Sequence, residues 1–313
     1  MTINKAVFLG AMPRAGSTLL MNLLGQNPNF HVTATSGLIE LLQTSRQRYT
    51  QGAEFNSQDK TEMDARFTSY CRGAFWGWCN GVETDATTFI DKSRGWISNT
   101  EFTQKLVGGN MKIIAPIRDV RGVTSSMEKI HQTTSLRLSA AVDVGKMRGM
   151  TVTDRAQDWL NGLPIGVSLK RVQDVVQRGL VDSICWVRLE DLVTNPEAEI
   201  AKIYKYLEEP IFEHDIRNIQ QITHEDDRHH GFDGLHSIKS EITNDLAEDW
   251  DQVLGKEVSD QLLREFEWFY KEFYPEVLAP VQSTAQPRSP QALSNTVQQG
   301  ITSINANGDL VAK

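Results

Sequence analysis

The chain has 313 residues, 40% of them hydrophobic, enough to bury a sizeable core as one large α/β domain or two modest ones. With 32 basic and 40 acidic residues the formal charge is minus 8, and no long basic run occurs. That balance argues against nucleic acid or an anionic membrane as a general partner, so any polyanion site must be built locally from a few cations and backbone amides.

In chain order, Lys5 to Gly10 is a short apolar run ending in glycine, and Ser17 to Leu24 follows with helical apolar spacing. No charged leader with a long apolar stretch precedes it, so the expectation is a protein without a membrane anchor, located in the cytoplasm. Three cysteines, Cys71, Cys79 and Cys185, resemble neither a disulfide framework nor a zinc site. They are read as reduced and mostly buried.

Further apolar runs at Thr88 to Ile90, Met111 to Ile117 and Ser183 to Leu189 are each followed by helical character. Helices are predicted at Glu62 to Asn80, Asp119 to His131, Asp154 to Gln177, Pro196 to Leu207 and Lys256 to Phe273, the last stopped by Pro275. Strands alternating with helices predict an α/β fold, a P-loop-like parallel sheet flanked by helices on both faces. The predicted domain spans residues 1–279. From 280 to 313 apolar periodicity vanishes and Gln, Ser, Asn and Pro dominate, which reads as a flexible polar tail.

Gly10-Ala-Met-Pro-Arg-Ala-Gly-Ser-Thr-Leu-Leu20 lies between the first strand and the first helix. A glycine-bearing turn there aims backbone N–H groups and the positive helix end at one point, which suits a phosphate. Arg14 adds a fixed cation with a planar donor fork, Gly16 permits close approach, and Ser17 and Thr18 add hydroxyls. A nucleotide-binding Walker loop would carry a lysine before Ser17 and four residues between its glycines. Here five separate Gly10 from Gly16 and no lysine is present, so the loop looks made for phosphosulfate without an obligatory metal.

At this segment the chain resembles the sulfotransferase superfamily, closest in style to the tyrosylprotein type, whose phosphosulfate loop reads P-R-[SA]-G-[ST]-[ST]. The resemblance implies 3'-phosphoadenosine 5'-phosphosulfate as co-substrate, held by Arg14, Ala15, Gly16, Ser17 and Thr18. It continues at Lys112 to Ser126, where a strand ends in Arg-Asp-x-Arg and a serine follows eight positions after the first arginine. Arg118 and Ser126 are thereby implied to grip the 3'-phosphate. Phe89-Ile-Asp-Lys-Ser-Arg-Gly-Trp96 resembles the strand ending in Lys-[ST]-Pro, with Arg94 in place of proline. That makes Lys92 the implied catalytic cation for charge developing on the leaving oxygen. Ser237 to Thr243, followed by Trp250, resembles the late loop in which Lys239 reaches the 3'-phosphate. Arg188 to Glu197 resembles Tyr-Glu-Asp-Leu-x-x-x-Pro with Leu189 for the tyrosine, leaving Glu190 and Asp191 to fix the helix after Pro196.

Sulfuryl transfer to a hydroxyl (or amine) also needs a base. In the tyrosylprotein type that glutamate falls at Thr35 here, so the candidates are Glu40, with Arg14 and Lys92 as the other catalytic residues, and the histidines His31 and His236. His224 to His230 has metal-ligand residue types without metal spacing and reads as a polar lid. Phe75, Trp76 and Trp78 fit helix core better than an acceptor pocket. The acceptor, whether carbohydrate, peptidyl tyrosine or small molecule, and the oligomeric state are left open. The alternatives are a P-loop kinase or NTPase, or a noncatalytic nucleotide-binding module.

Overall fold

The computed structural model describes residues 3–10, 12–109, 111–137 (backbone alone for 135–137), 147 and 149–278. Five parallel strands, β1 (Lys5–Leu9), β2 (Phe30–Thr35), β3 (Thr88–Lys92), β4 (Lys112–Ile117) and β5 (Cys185–Arg188), form one sheet in the order β2-β3-β1-β4-β5. Strand β1 is central because its residues alternate between two buried faces. Phe8 packs with Phe75 and Trp96 in one apolar cluster, while Val7 and Leu9 join Leu20, Leu24 and Ile203 in the other. Helices Lys60–Cys79, Val120–Arg137 and Ile165–Gln177 cover the first face, and Ser17–Leu24 and Pro196–Leu207 cover the second. The architecture is therefore the expected α/β sheet with helices on both sides.

Several boundaries differ from the sequence expectation for physical reasons. The helix predicted over Asp154–Gln177 is two helices, Val152–Asn161 and Ile165–Gln177, broken where Gly162 ends the first and Pro164 cannot continue it. The helix predicted over Lys256–Phe273 likewise breaks at Phe266 into Lys256–Glu265 and Glu267–Phe273. Strand β2 went unrecognised because it is an edge strand, paired only with β3 and half-buried, so His31, Thr33 and Thr35 are tolerated there. Helices Leu38–Gln51 and Thr100–Val107 were also missed. The helix after Pro196 is capped by Asn195, whose side chain accepts from Ala198 N–H. Glu190 acts elsewhere, accepting from the Asp119 N–H and from the Tyr274 hydroxyl.

Cys71, Cys79 and Cys185 are free and buried, and burial pushes their thiols up to about 11, 12 and 11. No helix among the described residues is long and apolar enough to cross a membrane. The expected tail, 280–313, lies outside the described residues.

Candidate functional site

All five strands are parallel, so the loops after β1, β2, β3 and β4 leave the same edge of the sheet. β1 sits where the order switches direction, the position at which open α/β sheets form a crevice. There a cavity of about 690 Å³ is lined by Arg14, Gly16, Ser17, Thr18, Lys92, Arg94, Arg118, His236 and Lys239, among others.

The turn after β1 carries two left-handed residues, Arg14 at φ 56° and Gly16 at φ 77°. Glycine accepts that geometry freely, and a Cβ at Gly16 would stand 2.6 Å from Leu189 Cδ1. Leu189, in place of the family's tyrosine, thus packs directly beneath the turn. The helix Ser17–Leu24 starts without any side-chain cap, so its first N–H groups stay available to an anion at its positive end.

Arg14 donates from Nε to Ser126 Oγ at 3.1 Å and from a terminal nitrogen to the Leu235 carbonyl, while Arg118 donates to the Arg14 carbonyl at 3.4 Å. Burial pulls the Arg14 guanidinium down to about 10, helped by Arg118 and opposed by Asp227. Burial lowers Arg118 as well. Gly122 makes room for it, since a Cβ there would be 2.8 Å from Arg118 Nε. Asp119 does not pair with Arg118. It holds Arg121 at 2.6 Å and accepts from the Tyr270 hydroxyl.

Lys92 ends β3 with its side chain only 5% exposed, its Nζ 2.7 Å from Glu225 Oε1 and 3.4 Å from Thr18 Oγ1. Burial lowers the Lys92 ammonium, against the Glu225 contact. Burial is the strongest influence on Glu225 and raises its carboxyl, but the bond and charge of Lys92 together with the bonds from Thr35 outweigh it and hold the carboxyl below its ordinary value. The same Glu225 oxygen accepts from the Thr35 backbone N–H at 2.8 Å. A carboxylate therefore stands beside Thr35, supplied by a remote loop rather than by the strand itself. Glu225 Oε2 is 3.4 Å from His236 Nδ1, and Asp227 Oδ1 is 2.5 Å from the same nitrogen. An ionised carboxylate only accepts, so it draws the proton to Nδ1 and leaves Nε2 with its lone pair. Burial lowers the imidazole, opposed by Asp227, which favours the neutral ring.

Arg14, Ala15, Gly16, Ser17, Thr18, Arg118, Ser126 and Lys92 are thus gathered at one edge, and Lys239 lies at the cavity wall in an exposed pair with Asp245 at 2.5 Å. Glu40 is exposed on helix Leu38–Gln51 and does not line the cavity, and His31 stacks on Phe89 at 5.3 Å within the edge strand. Phe75 is fully buried core and Trp78 is exposed, neither on the cavity wall. Glu225 and Asp227 were not singled out from the sequence, although the acidic run inside His224–His230 was the signal that could have marked them. Among the described residues no group of three or more His, Cys, Asp or Glu is disposed to hold a metal ion.

A sequence profile described as the sulfotransferase family matches residues 6–214. The chain belongs to the sulfotransferase family. No curated protein sequence matches this sulfotransferase at a significant level. Among solved structures it is similar to the sulfotransferase domain from the curacin biosynthetic pathway, at 15% identity over 85% of this chain and 99% of that one, TM-score 0.49. The sulfotransferase domain from the Synechococcus PCC 7002 olefin synthase matches at 16% identity over 85% and 96%, TM-score 0.47. Retinol dehydratase, in complex with androsterone and inactive cofactor PAP, matches at 12% identity over 87% and 82%, TM-score 0.44.

Proposed function

We propose that this sulfotransferase draws its sulfuryl group from 3'-phosphoadenosine 5'-phosphosulfate (PAPS) and passes it to a hydroxyl or amine acceptor, with His236 as the base and Asp227 as its positioning residue. The observation that carries the reading is the shared cavity at the carboxyl edge of the sheet, which Arg14, Arg118, Lys92 and His236 all line. The residues suit such a donor. An uncapped helix start behind a left-handed glycine offers amides to the 5'-phosphosulfate, with Arg14, Ala15, Ser17 and Thr18 beside it. Arg118 and Ser126, linked through Arg14, are assigned to the 3'-phosphate, with Lys239 at the rim.

The donor supplies an activated sulfur whose bond to the bridging phosphate oxygen breaks as a bond from the acceptor oxygen forms. Lys92 meets the electron pair left on that bridging oxygen, a charge absent from the ground state. His236 takes the acceptor proton on Nε2, while Asp227 keeps the Nδ1 tautomer and steadies the imidazolium. Glu225 holds the ammonium of Lys92 in place while the donor is away.

Adenosine 3',5'-bisphosphate (PAP), the desulfated product, is expected to raise the melting temperature in proportion to the logarithm of its concentration, with ATP and magnesium far less effective. An equal or larger shift with ATP and magnesium would replace this reading by a kinase.

A further inference from the structure

The cavity holds a second cationic centre that the donor assignment leaves unused. Arg94 stands two residues beyond Lys92, at most about 7 Å further along the chain, where the family pattern has proline. It lines the cavity and is half-buried, yet among the described residues its guanidinium makes no hydrogen bond and no ion pair. Arg171, also half-buried, is equally unpaired among the described residues. It belongs to helix Ile165–Gln177, which packs on the turn Trp96–Ser98 just after Arg94.

The electrostatic surroundings set this centre apart from the Arg14 end and tie it to Lys92, whose ammonium feels Arg94. Arg14 feels Arg118 and Asp227, whereas Arg94 feels Arg171, Glu225 and Glu40. Burial and the neighbouring Arg171 both work against the Arg94 charge, and the two acids act on it through space without a hydrogen bond. Desolvating a guanidinium beside another without a partner is costly, and an anionic ligand relieves that cost. The planar fork of arginine matches a carboxylate with two parallel bonds. Met127, Met147, Trp159, Leu163 and Phe232 give the cavity an apolar stretch as well, in a lining that also carries Asp158 and His230.

We propose, building on the sulfotransfer reading, that the acceptor is a hydroxy acid with an apolar body, its carboxylate received by Arg94 with Arg171 behind it. The carboxylate anchors the molecule while its hydroxyl is presented beside Lys92 and His236.

The test uses the full chain and a panel of hydroxybenzoates, hydroxyphenylacetates and 3-hydroxyalkanoates, each paired with its methyl ester. Calorimetric affinity is measured with and without saturating PAP, alongside single-turnover transfer from PAPS. At least one acid is expected to bind tenfold or more tighter than its ester. Arg94→Met should abolish that preference, Arg94→Lys restore part of it, and Arg171→Met weaken it, while PAP affinity stays within twofold. Absence of acid preference across the panel, or a preference that survives Arg94→Met in a variant with unchanged PAP affinity, overturns the proposal. Acid preference in a protein that does not bind PAP supports the Arg94 grip and overturns the donor assignment instead. Transfer confined to the esters overturns the carboxylate while leaving sulfotransfer standing.

Discussion

The Lys92–Glu225 pair is the interaction whose removal can be worked through most fully. Both side chains are nearly out of solvent, at 5% and 8% exposure, with 2.7 Å between the charged atoms. Replacing Lys92 by methionine keeps most of the volume but leaves Glu225 buried without its cation. Breaking a buried pair from one side costs about 3–5 kcal/mol. Glu225 retains the Thr35 N–H at 2.8 Å and the His236 ring at 3.4 Å, so the lower end applies, ~3 kcal/mol. For a chain of this size that corresponds to a fall of about 6 °C in melting temperature. Adding Glu225→Gln should recover ~2 kcal/mol of the loss, because glutamine still accepts from Thr35 and no longer carries the buried charge. The assay is the double-mutant cycle in urea at pH 7.5, repeated at high salt, which screens a buried pair only weakly. A Lys92→Met protein as stable as the parent, or a coupling that disappears with salt, would refute the argument that this pair is buried and mutually dependent.

Three other outcomes are expected. Burial pushes the Asp91 carboxyl from 3.8 to about 6 against its hydrogen bond from Trp96, so the folded state binds that proton more tightly than the unfolded chain. The resulting stability is full below about pH 4 and is lost as pH rises through about 6, so Asp91→Asn should gain on the parent by up to roughly 3 kcal/mol between those limits; a pH-independent difference in denaturation midpoints would count against it. Arg118→Ala should weaken PAP by tenfold or more while scarcely changing affinity for adenosine 5'-monophosphate, and equal losses in calorimetry would remove Arg118 from the 3'-phosphate. With its folded value held below the usual imidazole range by burial, His236 stays neutral at pH 7 and the acid limb of kcat lies below that range. Asp227→Asn removes the opposing influence, moving that limb to still lower pH and cutting kcat about 10²-fold or more, whereas a purely structural Asp227 would leave the limb where it was.

Local chemistry was legible without coordinates. The apolar run of β1, the glycine turn, the helix start at Ser17 and the proline start at Pro196 each depend on neighbours within a few residues, so periodicity and backbone preference suffice to recognise them. Where those local signals were weak, the reading faltered. Strand β2 is half polar because only one edge of it is paired, and Gly162 to Pro164 broke a helix whose apolar spacing ran straight through. The chemistry between segments was not legible at all. Glu225 meets Lys92 across 133 residues, a remote loop brings its carboxylate to the very backbone position where the strand carries only Thr35, and Arg94 shares its field with Arg171 from another helix. The residue types announced a site for anions, because glycine, arginine and hydroxyl groups at a helix start have that capacity wherever they occur. Which carboxylate faces which cation, and which arginines are left without one among the described residues, was decided only by the return of the chain over the carboxyl edge of the sheet, since a side chain's charge and burial depend on what packs against it rather than on what precedes it.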